Sequence, residues 1–544
     1  MRLALRARVI ILALAVLLVS SVPPHTLAQV TLEDALARSF DVAVTIAPID
    51  RRPGASGTLT GRARIGLEIT ALQPLAQVRM ELSSRLTVKS AQAEGVQVTF
   101  ARSGSSLTLT FAEAQAPGTR LTVTVEYEGQ PFSIYNEYVI LGEGVLYPVL
   151  VSPFGDYSAN MARLTLQVTA PQDVLVVTTG RQVSVEGNTT RWDTEVTVPW
   201  VALVGGRRHR RVERTVGNVR LQMYVGPGED RNLDKLATFT GQAVEFYSRL
   251  LYAFPYAELK VISLVPISGG IGYPALMLID DRAFTSSFSG DYNRDSYLFS
   301  LMAHEAAHSY VPSQTVPRGT GFIWLSEGFA EYLSLMATEA VLGAQAYARE
   351  LQENRDFYAE VAGTPNDRPI LLYTFANYGP AASRRVIYGK GSLVLHMLRF
   401  VIGDEAFRRT LAAYFQRTRG RSVRADEFFE VAEEISGQKL EWFFNQWVRQ
   451  VVVPDYVVAS ATSTRTPDGQ FQTTATVRNT GTGAMPVEVL FRAGDASVVR
   501  RVDVPSRGEA AVTVATPAQV RQVEVDPGKW LIQSNYKNDA FDIR

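Results

Sequence analysis

Two histidines four residues apart, His304 and His308, with Glu305 beside the first, constrain this chain more than any other feature it has. Positions four apart on a helix lie one above the other on one face, so both imidazoles can reach a single metal ion. Eighteen residues separate His308 from Glu327. The pattern H-E-x-x-H, eighteen residues, E supplies two neutral nitrogens, one carboxylate oxygen and a fourth coordination position left for water. A fold for this chain must therefore bring a second segment, carrying Glu327, back to the histidine helix. A helix whose histidines merely cap or pack would leave that third acid without a reason.

Composition narrows the setting. The 544 residues suffice for three or four domains with a large core, and the formal net charge is zero, so neither nucleic acid nor an acidic membrane surface is expected as a general partner. The basic run from Arg207 to Arg211 reads as a solvated connection. There is no cysteine, so any metal must be held by nitrogen and oxygen. Residues 1–28 read as a targeting segment: Arg2, Arg6 and Arg8 precede an apolar stretch from Val9 to Val22, and Thr26-Leu27-Ala28 resembles a small-residue cleavage site. The apolar stretch is shorter than a membrane span, which favours export, with tethering by an uncleaved N-terminal segment as the alternative. No other stretch is apolar and long enough to cross a membrane.

Along the chain, Leu107 to Phe111, Leu121 to Val125 and Leu164 to Val168 alternate apolar with polar residues, as half-buried strands do, and predict a large antiparallel β domain. The pattern turns helical near Asn232, where Leu233, Leu236, Ala237, Ala243, Val244, Tyr247 and Leu251 form one stripe with Thr240 as its polar member. The histidine helix is expected to start after Asn293 or Asp295, either of which can cap it, and to stop before Pro312. A second helix is expected from about Ser326 to Leu342, with Glu327 and Glu331 on one face. His396, inside an apolar run, reads as a core histidine. After Pro454, alternating strands and turn signals predict a β sandwich.

The run H-E-A-A-H at 304–308, followed by W-L-S-E-G-F-A-E-Y at 324–332, resembles the M1 family of zinc peptidases, whose second motif usually reads W-L-N-E-G-F-A-x-Y. Ser326 stands where the family has Asn. The resemblance extends from about Val139 to the end of the chain. It implies a multidomain α+β protein: an N-terminal antiparallel β domain over 29–215, a thermolysin-like α/β catalytic domain over 216–452 and a C-terminal β-sandwich domain over 453–544. It also implies one zinc ion per chain on His304, His308 and Glu327. Glu331 would be the carboxylate that orients His304. Gly269, Gly270, Ile271, Gly272 and Tyr273 occupy the place of the G-x-M-E-N strand that pairs with substrate backbone, but Gly272 stands where the family's amine-binding Glu would be. Tyr388, in Y-G-K-G, takes the position of the tyrosine that donates to the oxyanion. Nothing resembling the large helical C-terminal domain of many M1 enzymes follows, so an open cleft is expected.

The expected chemistry is peptide hydrolysis, with Glu305 as general base and Tyr388 sharing the developing oxyanion with the metal. Two histidines and one carboxylate also suit non-haem iron, but the interposed Glu305 argues for zinc. Gly272 supplies no carboxylate and is expected to leave space on the amino side of the scissile bond, so endo-action is expected; the competing view is that an acid of the β domain, with Glu143 the candidate, restores the amine anchor. Two other classes stay open: a metal-retaining, non-catalytic peptide-binding protein, and a hydrolase of another amide or ester.

Overall fold

The computed structural model describes residues 34–47, 56–133, 138–142, 144–150, 160–207, 209–264, 267–285, 291–373 and 380–543; the expected targeting segment lies outside them. No helix among the described residues is long and apolar enough to cross a membrane. The chain forms two compact units. One comprises the residues up to Phe322 with Leu333–Tyr347 and Phe415–Ala425; the other comprises Ile323–Tyr332, Ala348–Tyr414 and Asp426–Arg544.

The first unit opens with a β-rich region. Leu107, Leu109 and Phe111, then Leu121, Val123 and Val125, then Leu164, Leu166 and Val168 are all buried, and they join one apolar core. Each triplet occupies alternate positions because successive strand residues face opposite sides of the sheet. A wholly antiparallel domain is corrected at one place: the first strand, Ala35–Ala47, runs parallel to Arg163–Thr169, with Val42 opposite Leu166. Period-two alternation fixes which face is buried and is the same for either strand direction, so it could not reveal this.

A five-stranded mixed sheet follows, in the spatial order Arg210–Val216, Val219–Val225, Leu259–Leu264, Leu276–Asp280, Gly270–Tyr273. Leu259–Leu264 is buried at every position and pairs in parallel on both sides, which is why it reads as a continuous run rather than an alternation. The helix Leu233–Leu250 makes the crossover between the first two parallel strands. Its buried face contains the expected stripe, and Thr240 satisfies its hydroxyl on the Leu236 carbonyl at 2.7 Å. Tyr247 on this helix donates to the Ala303 carbonyl at 2.9 Å and so fixes the helix that carries the histidines.

That helix spans Asp295–Ala307. The cap position falls on neither expected residue. Arg294 holds the cap position in extended conformation, and Asp295 instead pairs with Lys235 at 2.8 Å.

In the second unit, Glu327 lies in a π-helical turn, Trp324–Gly328, that precedes the α-helix Phe329–Leu342. A second π-helical turn, Arg385–Lys390, carries Tyr388 and runs into the wholly buried helix Gly391–Ile402. His396 on that helix is a core residue as expected. Its ring stacks on Trp530 with centroids 4.4 Å apart, and burial holds it well below the usual histidine range. The C-terminal strands form an antiparallel three-stranded and an antiparallel four-stranded sheet, with Ala475 and Val477 buried on the first and Val487, Val489 and Phe491 on the second.

Candidate metal centre

His304, Glu305 and His308 are all buried, with 8%, 4% and 5% of their surface exposed. The two imidazole centroids are 4.9 Å apart. His308 has a defined tautomer. Its Nδ1 lies 2.9 Å from the Val311 carbonyl oxygen, and a carbonyl only accepts, so Nδ1 carries the proton and Nε2 keeps its lone pair for a metal. Nothing in the sequence marked Val311; the turn after the helix supplies the acceptor through its backbone.

Glu327 is held from two sides. Ser326 Oγ donates to its Oε1 at 3.1 Å and Tyr388 Oη donates to its Oε2 at 2.7 Å. The Ser at the family's Asn position thus has a role on the carboxylate itself. Tyr388, half-buried, also lies beneath the Arg384 guanidinium, 5.5 Å from its ring centroid. Glu331 accepts a hydrogen bond from Asn354 Nδ2 at 2.9 Å, which ties it to the helix Ala344–Ala359.

One ligand atom from each of His304, His308 and Glu327 lies within 4.8 Å of the others. Bond lengths of about 2.1 Å in tetrahedral geometry put ligand atoms about 3.4 Å apart, so this buried set suits a small divalent ion.

The strand Gly270–Tyr273 ends the five-stranded sheet and pairs with Leu276–Asp280, Gly272 opposite Met277. Its alternate residues divide as the pleat requires. Ile271 and Tyr273 turn to the apolar cluster of Ile262, Leu264, Leu276 and Leu278, so among the expected substrate-contacting residues these two give their side chains to the core. Gly270 and Gly272 face the histidine helix. A Cβ on Gly270 would fall 2.5 to 2.6 Å from the Glu305 side chain. One on Gly272 would fall 2.5 Å from His308 Cβ and 2.7 Å from the Glu305 carbonyl oxygen. The expectation that Gly272 leaves space is therefore corrected: the helix itself occupies it, because two glycines let strand and helix approach to backbone contact. Gly269, at φ 83°, takes a conformation that favours glycine and donates its N–H to Tyr292 Oη at 3.2 Å. Tyr292 donates onward to Asp280 at 2.8 Å.

Residues 240–447 match the peptidase family M1 domain. This part of the chain is similar to that peptidase domain. Both histidines, Glu327 and Tyr388 lie inside it. Similar proteins include aminopeptidase M1-B of Oryza sativa subsp. japonica, 22% identical over 209 residues that make 37% of this chain and 23% of the relative. Aminopeptidase M1 of Arabidopsis thaliana is 21% identical over 47% of this chain and 29% of its own length. Aminopeptidase N of Lactococcus lactis subsp. lactis is 27% identical over 30% and 19%. The match thus spans less than a third of each of these relatives.

Proposed function

We propose that this chain is an exported, zinc-dependent metallopeptidase that hydrolyses peptide bonds in peptide or protein substrates. The observation that carries the reading is the buried His304, His308 and Glu327 set, with Glu305 on the same helix, inside a matched peptidase domain. These three residues hold one zinc per chain. Zinc, when bound, supplies Lewis-acid polarisation and a water acidified to near neutral pH. Glu305 takes a proton from the attacking water and delivers it to the leaving amine. Tyr388 donates to the oxygen that gains charge, exchanging its bond to Glu327 for one to the substrate. Glu331 serves as the outer carboxylate of the histidine set.

The absence of a carboxylate at Gly272 supports endo-action. It also favours a second reading, a metal-retaining peptide-binding protein without turnover. One experiment separates them. The purified protein is loaded with zinc, its metal content measured, and a mixture of internally quenched peptides offered with and without chelator. About one zinc per chain and chelator-sensitive cleavage are expected. Full zinc occupancy with no cleavage of any peptide supports the binding protein. Full occupancy after His308→Ala overturns the ligand assignment.

A further inference from the structure

Both turns that present Glu327 and Tyr388 are π-helical. Phe329 N–H reaches Trp324 O, and Gly391 N–H reaches Val386 O, each five residues back. Such turns are rare and persist where surrounding contacts over-determine them. One contact between them is plain. The Trp324 indole donates to Gly391 O at 3.2 Å, and a Cβ on Gly391 would stand 3.5 Å from Gly328 Cα, so the two backbones touch at a pair of glycines.

The other face of the Tyr388 turn is held by a charge. Lys390 and Asp367 have fully buried side chains, with Lys390 Nζ 3.3 Å from Asp367 Oδ1. Asp367 Oδ2 accepts from Tyr358 Oη at 2.7 Å and from the Gly363 N–H at 3.1 Å. Tyr358 also seats the turn directly: a Cβ on Gly389 would lie 3.2 Å from Tyr358 Cβ and from the Asn354 carbonyl. A buried ion pair is a poor source of net stability, since desolvation offsets its attraction. Its known use is to fix register. Residues two apart lie on opposite sides of a helical turn, so Lys390 engages Asp367 on one side while Tyr388 engages Glu327 on the other. Slipping the turn by one residue toward α-helical register rotates it by about 100° and removes one of the two from its partner.

We propose that Asp367 and Lys390 are positioning residues for the peptidase site: their buried pair sets the register of 385–390 and thereby aims the Tyr388 hydroxyl at Glu327. The proposal rests on Glu327 as a metal ligand and Tyr388 as the oxyanion donor.

The test is a double-mutant cycle on the full chain. Asp367→Asn, Tyr358→Phe and the neutral pair Asp367→Asn with Lys390→Met are each made alone and in a Tyr388→Phe background. Two readouts are taken: zinc affinity by competition with a chromogenic chelator, and kcat and KM on a cleaved peptide. Asp367→Asn is expected to lower kcat by about 10²-fold with KM little changed, and to weaken zinc by about tenfold. Neither loss should deepen in the Tyr388→Phe background. Losses that add in full, or zinc affinity and kcat unchanged by Asp367→Asn, overturn the proposal. Should Asp367→Asn fail to fold, the neutral pair, which leaves no buried charge unpaired, and Tyr358→Phe carry the same test. If no peptide is cleaved, the proposed function fails while the zinc cycle still decides the positioning role.

Discussion

At the scale of single residues, the carboxylate of Glu327 is oriented by two hydroxyls, Ser326 on one oxygen and Tyr388 on the other. Under the proposed mechanism Tyr388 acts twice, on Glu327 and on the substrate oxygen, and its removal should show twice. Tyr388→Phe is expected to lose about 10² to 10³ in kcat, as removal of an oxyanion donor does, and also to weaken zinc by about tenfold because Glu327 loses a supporting bond. Glu305→Gln is expected to lose about 10² to 10⁴ in kcat with zinc retained. Metal analysis beside steady-state kinetics checks both; normal turnover by either variant removes that residue from the mechanism. The grouping of His304, His308 and Glu327 was legible in the sequence because metal chemistry demands particular residue types at particular separations. Ser326 and Val311 were not. A hydroxyl beside a carboxylate and a carbonyl three residues past a histidine gain meaning only when the backbone has turned.

At the scale of elements, the decisive contact is between the strand Gly270–Tyr273 and the histidine helix. In the sequence Gly272 is a missing glutamate; in the fold it is the reason the helix lies where it does. Gly272→Ala should therefore disturb His308 without adding any chemistry. A Cβ 2.5 Å from His308 Cβ and 2.7 Å from a helix carbonyl forces strand and helix apart, and overpacking of this kind costs about 1 to 3 kcal/mol. Lower zinc affinity together with an earlier urea midpoint is expected, and wild-type values for both would show that the contact is loose. Helices and strands were readable here from their periods, as the buried stripe of Leu233–Leu250 shows. The π-helical turns were not, because one inserted residue leaves no periodic signature. Glu327 and Glu331 consequently fall across a junction of two helix types, and one partner of Glu331 is Asn354.

At the scale of the whole molecule, stability and specificity each lead to a measurement. Asp526 sits in the left-handed region at φ 47° and accepts from the Trp530 and Leu531 N–H groups at 2.8 and 3.1 Å, yet burial pushes its carboxyl up to about 7. The unfolded chain releases this proton near pH 4 and the folded chain near 7, so between them the folded state binds more protons and its stability falls as pH rises. Asp526→Asn tolerates the same backbone and should remove that slope. Its urea midpoint relative to wild type should rise from about pH 5 to about pH 8, and a relative fall would place the ionised carboxylate among the favourable groups.

Specificity turns on the free α-amine. An aminopeptidase recognises an ammonium with an acid beside the metal, and a charge-assisted bond of that kind contributes about 1.5 to 3 kcal/mol, or about one to two powers of ten. Gly272 offers no such acid, and the close helix bars one from being installed, so Gly272→Glu cannot serve as the test. Asp280 is committed to Arg282 and Tyr292. Glu143, an acid of the N-terminal region, lies outside the described residues. An acetylated peptide and its free-amine twin should therefore be cut at rates within about threefold of each other, because neither end group meets a partner worth a power of ten. A hundredfold preference for the free amine would mean that an acid elsewhere has taken over the anchor. Glu143→Gln then identifies it: loss of the preference with acetylated-peptide cleavage intact assigns the anchor to Glu143, while an unchanged preference sends the search to another acid.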